Sequence, residues 1–127
     1  MASRASRVFL GLSALMWLPY GLLCLARPSI LEGTAGVAAI NTTGTVELGA
    51  MYGGLQIAIG VLCALGCRSI AWRATALTTV GMLTAGLGLG RLAGVLAGGG
   101  VSSYTAAALA IEFVSAALAF TLARKNA

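Results

Sequence analysis

Two ionisable residues stand alone inside long apolar stretches, Arg91 after Leu-Gly-Leu-Gly and Glu112 after an alanine-rich run, and any chemistry must start from them. A guanidinium could hold an anionic or polar head group, and a carboxylate could exchange a proton or pair with the guanidinium. Gln56, with Tyr52 one helical turn before it, adds amide and phenol groups, and Glu47 adds a second carboxylate. The chain has no histidine, and no nucleophile stands with a base in an arrangement used by known mechanisms, so no catalytic residue is assigned. Cys63 and Cys67 share a helix face. Their pairing could serve a metal, but without histidine the simpler reading is two small buried apolar side chains, so no metal or cofactor is expected. An odd count of three cysteines within apolar segments also argues against a disulfide framework.

The elements that must position these groups are set by composition. Of the 127 residues, 59% are hydrophobic and 9% charged, and the mean hydropathy is +0.97. A water-soluble domain carries about 25% charged residues, so this chain cannot clothe a surface against water. The uncharged runs are Val8 to Ala26, Leu48 to Cys67, Ala74 to Gly90, and Leu92 to Ile111 followed by Phe113 to Ala123. A membrane span needs roughly 20 residues, so the first three qualify directly and the last requires a break. Gly98-Gly99-Gly100 supplies it, and Ser102-Ser103 offer N-cap oxygens for the next helix. The spacing therefore predicts an all-α fold in one domain, a four-transmembrane-helix bundle with spans at about residues 8–26, 46–67, 72–97 and 104–123.

Charge gives the orientation. Six of the eight basic residues fall into three groups, Arg4 with Arg7, Arg68 with Arg73, and Arg124 with Lys125, and four spans bring all three to one face. By the positive-inside rule that face is cytoplasmic, which predicts both termini inside and a multi-pass protein of the inner (plasma) membrane. The same clustering at span ends, without a basic patch interleaved with polar contact residues, excludes nucleic acid as the partner despite a net charge of +5 and a pI near 9.7. A cleaved signal peptide competes for residues 1–26. The apolar core there is 19 residues long, beyond the usual signal core of about 7 to 15, so a retained span is expected. Pro19 removes one backbone bond from that span and predicts a kink or, functionally, a hinge.

Between the first two spans, Ser29-Ile30-Leu31-Glu32 fits a capping box for a short interfacial helix on the outer face, and Asn41 to Thr45 reads as a turn. Glu47, at the outer rim, would answer Arg27 or cap its own helix.

In lipid, helices associate by close packing, which favours small residues at contacts. Gly49, Gly53 and Gly60 lie along one face of the second span with Gln56. Gly86, Gly90 and Gly94 make two successive G-x-x-x-G steps in the third, with Gly81 and Gly88 on an adjoining stripe. Ala108, Glu112, Ser115, Ala116 and Ala119 share a side of the fourth. The stripes serve packing within the chain or, for one of them, a homo-oligomer contact. By depth, Glu112 and Gln56 lie about 12 to 14 Å and Arg91 about 9 Å below the outer surface, so the three can converge. That cluster is either an internal ion pair fixing helix register or the floor of a cavity.

The stretch Glu47-Leu-Gly-Ala-Met-Tyr-Gly-Gly-Leu-Gln56, read as E-x-x-x-M-Y-G-G-x-Q, together with Gly90-Arg91-Leu92, Tyr104 and Glu112, resembles a bacterial family of four-span membrane proteins catalogued as a domain of unknown function. Its architecture is similar to that of DoxX-like small membrane proteins. The resemblance implies the four-span fold and marks Glu47, Tyr52, Gly53, Gly54, Gln56, Arg91 and Glu112 as characteristic positions. It brings no activity with it. Three function classes follow: an accessory or structural membrane component docking a membrane-protein partner or a second copy; a binder or transporter of a small amphipathic or quinone-like ligand at the polar cluster; and, least favoured by the residues, an enzyme.

Overall fold

In a computed structural model, which describes residues 2–126, the chain is all-α and its four long apolar helices form a bundle. Helix α1 runs from Ala2 to Ala26 without interruption through Pro19, followed by the short α2 (Ile30–Ala35). The second span begins as α3 (Thr42–Leu48), passes through a π-helical segment at Gly49–Gly54 and continues as α4 (Leu55–Arg68). Helix α5 (Ile70–Gly94) ends in a π-helical turn, Val95–Gly99, and α6 (Ser103–Arg124) closes the bundle. The candidate spans are Arg4–Ala26, Thr42–Arg68, Ile70–Gly99 and Ser103–Arg124, and they make this a multi-pass membrane protein.

The helix ends follow from local chemistry. The second span starts four residues earlier than the expected residue 46 because Asn41, in extended conformation, accepts the Gly44 amide at 2.8 Å through its side chain. Ser102 caps α6 in the same way, accepting the Thr105 amide at 3.1 Å. The chain breaks between α5 and α6 at Gly98 (φ 100°) and Gly100 (φ 72°), where residues bearing a Cβ are disfavoured. The capping box expected at Ser29 does not form. Ser29 is itself helical and its side chain makes no cap bond; α2 instead begins as a turn in which the Ile30, Leu31 and Glu32 amides donate to the carbonyls of Arg27, Pro28 and Ser29. Gly36 then stops it in the left-handed region, and the fully buried Leu31 anchors it to the bundle.

Helix α1 packs along the second span, α5 along α6, and α4 against α5 joins the two pairs. The core draws on all four: Leu10, Ala14 and Trp17 from α1, Ile59 and Cys63 from α4, Ala76, Leu77 and Val80 from α5, and Ala119 from α6. Leu15, Met82, Leu89 and Val114 are among many large apolar side chains turned outward, an arrangement that water would penalise and acyl chains accept.

Antiparallel packing brings both described ends of the chain to one end of the bundle, where Asn126 donates to the Ser6 hydroxyl at 2.7 Å and Cys67 donates to the Arg7 carbonyl at 3.3 Å. Arg73, counted above with the surface charges, is buried there, and its Nε donates at 3.1 Å to the Gly66 carbonyl, one of the acceptors left open at the end of α4.

The contacts between helices turn on particular glycines. A Cβ on Gly53 would stand 2.7 Å from Leu25 Cβ and 2.9 Å from Leu25 Cα, and one on Gly60 would stand 2.5 Å from Leu18 Cγ. On α1, a Cβ on Gly21 would lie 2.9 Å from the Ile57 amide nitrogen. These positions let α1 and the second span meet backbone to backbone. Gly49, at the start of the same stripe, is buried with ordinary clearance from Leu25.

Candidate functional site

The polar cluster sits in the half of the bundle away from the termini. Arg91, in the last turn of α5, and Glu112, midway along α6, form a forked ion pair: Nη2 donates to Oε1 at 2.8 Å, and Nε donates to Oε2 at 3.1 Å with a longer contact to Oε1 at 3.3 Å. Glu112 is buried, whereas the Arg91 side chain keeps 29% of its surface exposed. The antiparallel run of α5 and α6 sets this register. One turn toward the termini Gly88 receives the ring of Phe113, and two turns further Gly81 receives Phe120, whose nearest ring carbon would be 2.9 Å from a Cβ at Gly81. The bridge is thus the last rung of a ladder in which glycines on α5 admit large side chains from α6.

One aromatic ring stands against the guanidinium. The ring of Tyr104 lies under it, with 5.8 Å from Arg91 Cζ to the ring centroid, a cation–π contact. Tyr52 is within electrostatic reach of Arg91, and Tyr20 of both Tyr52 and Tyr104, with Cys24 beside it. All three tyrosines of the chain therefore gather here. Gln56 is half-buried one turn along from Tyr52, and its Oε1 is shut away from solvent with no hydrogen-bond partner among the described residues. Trp17 Nε1, deeper in the core, is in the same condition.

Of the residues expected to converge, Arg91 and Glu112 meet directly, with Tyr52 close by. Glu47 does not join them. It is exposed in the last turn of α3, is in no ion pair among the described residues, and does not cap its helix, because Asn41 already does. Gly86, Gly90 and Gly94 pack against no other element: outside their own helix, no atom of the described residues lies within 4 Å of where a Cβ would be on any of them. The contact within the chain falls on the adjoining stripe, at Gly81 and Gly88. Ala116 and Ala119 are buried with Glu112, and Ala108 and Ser115 are half-buried on the same side. Sequence reasoning missed Tyr20 and Trp17, although Trp17, Tyr20, Gly21 and Cys24 follow one another at helical spacing on one face of α1.

It also missed the π-helical segment. The Leu55 amide reaches back five residues to the Ala50 carbonyl, so the Met-Tyr-Gly-Gly part of the motif lies in a wider turn, a feature frequent at functional sites. Gly53, within that turn, is one of the points where the second span approaches the α1 backbone most closely.

A family model described as "Domain of unknown function (DUF4345)" matches residues 5–123. The chain belongs to the DUF4345 family. No curated protein and no solved structure matches it. In this DUF4345 protein the forked bridge has two chemical capacities. It neutralises two charges that would each cost about 2.5 to 3.5 kcal/mol alone in hydrocarbon. It also leaves one guanidinium nitrogen, Nη1, without a hydrogen-bond partner among the described residues.

Proposed function

We propose that this DUF4345 chain is an accessory or structural component of a bacterial inner membrane, with both termini cytoplasmic, that docks a membrane-protein partner or a second copy through α5. One observation carries the reading: the Gly86, Gly90 and Gly94 stripe faces outward with no other element of the described residues against it, while the two charges beside it pair with each other inside the chain. A row without side chains lets another helix approach closely, and close approach is what drives association in lipid. The Arg91–Glu112 bridge then acts as a joint holding α5 and α6 in register behind the docking face.

Native mass spectrometry from mild detergent tests this. The parent is expected to travel with a partner or as an oligomer, whose mass tells the two apart. Gly90→Leu is expected to release it as a monomer with no loss of thermal stability, since there is open space at that position. If Gly90→Leu leaves the complex intact, or if the parent is already a monomer, α5 is not a docking face.

A second reading is favoured by the buried Gln56 Oε1 and the open Nη1 of Arg91. A small amphipathic ligand with a hydroxyl to donate and a carbonyl to accept, as in a quinol and quinone pair, would suit both groups. Its mark would be a small-molecule adduct in the same spectra that is lost in Gln56→Leu.

The orientation carries its own prediction. With Cys67→Ser as background, a membrane-impermeant maleimide should label Ala38→Cys from outside the cell, and Lys125→Cys only after the membrane is opened. The reverse pattern would invert the protein.

A further inference from the structure

The half of the bundle that holds both described ends of the chain contains a concavity away from the polar cluster. Between α1 and α4 lies an open groove of about 630 Å³, floored by Gly11 and walled by Leu12, Leu15, Leu18 and Ala64, with Pro19 at one end and Arg68 at the other. Its lining is almost wholly apolar. The floor exists because Gly11 has no side chain; the nearest atom to a Cβ placed there would be Cys67 Sγ at 3.6 Å. The hydrogen bond from Cys67 to the Arg7 carbonyl holds the two helices together beneath the groove.

Length and charge identify the occupant. From Val8 to Pro19 the groove follows α1 for about 16 Å at 1.5 Å per residue, which is close to the depth of one leaflet, half of a hydrocarbon core of about 30 Å. It ends where Arg4, Arg7, Arg68, Arg73, Arg124 and Lys125 collect. All three acidic side chains of the protein, Glu32, Glu47 and Glu112, lie in the other half. Arg68 is exposed at the mouth and is in no ion pair among the described residues.

We infer that the α1–α4 groove is a binding site for one anionic phospholipid, its acyl chain lying from Pro19 to Gly11 and its phosphate held by Arg68. Apolar walls one leaflet deep match the chain, and a basic rim without acidic side chains selects a negative head group over a zwitterionic one. The bound lipid fills the gap that Gly11 leaves between α1 and α4 on the lipid-facing side.

The protein, purified in detergent, is titrated with phosphatidylglycerol and with phosphatidylcholine, and bound lipid is counted by native mass spectrometry. One phosphatidylglycerol should bind in preference to phosphatidylcholine. Arg68→Gln should weaken it about fivefold, the equivalent of one basic residue at a membrane surface. Arg124→Gln, which removes a charge of the same end but outside the groove, should leave binding unchanged. Gly11→Leu should fill the floor and reduce binding at least as much as Arg68→Gln. Should that variant fail to fold, the two arginine variants decide alone. Equal binding of the two lipids, equal losses in Arg68→Gln and Arg124→Gln, or no loss in Arg68→Gln would each overturn the site.

Discussion

Gly53→Val is expected to destabilise the folded bundle by about 3 kcal/mol or more, while Gly90→Ala is expected to cost nothing or to gain up to about 1 kcal/mol. Both positions are glycines in apolar spans, and propensity alone would favour both changes. The difference is what the new atoms meet. At Gly53 the first of them would already lie 2.7 Å from Leu25 Cβ and 2.9 Å from Leu25 Cα, where carbon atoms prefer about 3.5 to 4.0 Å. Main-chain atoms cannot swing aside as a leucine tip can, so α1 as a whole must move off the second span. Overpacking of this kind costs typically 1 to 3 kcal/mol, and two further methyl groups in a β-branched side chain carry Gly53→Val to the top of that range or past it. Gly60→Ala, limited by the Leu18 amide nitrogen at 2.9 Å, should fall between the two. Reversible unfolding in mixed detergent reads all three, and equal stabilities for Gly53→Val and Gly90→Ala would mean that α1 does not pack where it is drawn.

The ion pair gives the second large effect, and it is asymmetric. Arg91→Met strands a carboxylate that is buried on α6, and removing one partner of a buried pair costs roughly 3 to 5 kcal/mol. Glu112→Gln strands a guanidinium that keeps 29% of its surface open and stands over Tyr104 near the end of α5. A long side chain in that position can turn toward the head groups and take its charge with it, so the loss should be smaller, about 1 to 3 kcal/mol. Arg91→Met is thus the more damaging variant, by chemical denaturation in nanodiscs or by heating. The opposite ranking would place the carboxylate, and not the guanidinium, at the accessible side of the bridge.

Why some of this could be read from the residues and some could not has a physical basis. The four spans were legible because length and apolarity alone decide what crosses a bilayer, and the break before α6 was legible because glycine and serine act locally. The pairing of Arg91 with Glu112 was legible because two charges at similar depth in hydrocarbon have few alternatives. The inward face of α5 was not. In a soluble helix the apolar stripe marks the core, but a helix in lipid is apolar all round, so Gly81 and Gly88 could not be separated from Gly86, Gly90 and Gly94 without the aromatic rings of α6 that select them. Tyr20 and Trp17 were hidden for the same reason, in a first span whose every face is apolar. The π-helical turn at Gly49–Gly54 leaves no periodic trace because it is a choice of backbone partner, and Arg73 was taken for a surface charge because basic residues at span ends usually are.

The account rests on charged groups persisting in the bilayer because they face each other across α5 and α6. A double-mutant cycle on Arg91→Met and Glu112→Gln, measured by unfolding in a lipid bilayer, tests this most directly. The doubly substituted protein should recover most of the stability lost by Arg91→Met alone and stand within about 1 kcal/mol of the parent, since replacing both members of a buried pair with neutral groups is often neutral. If the two losses simply add, the side chains do not interact and the bridge is not what holds the helices in register.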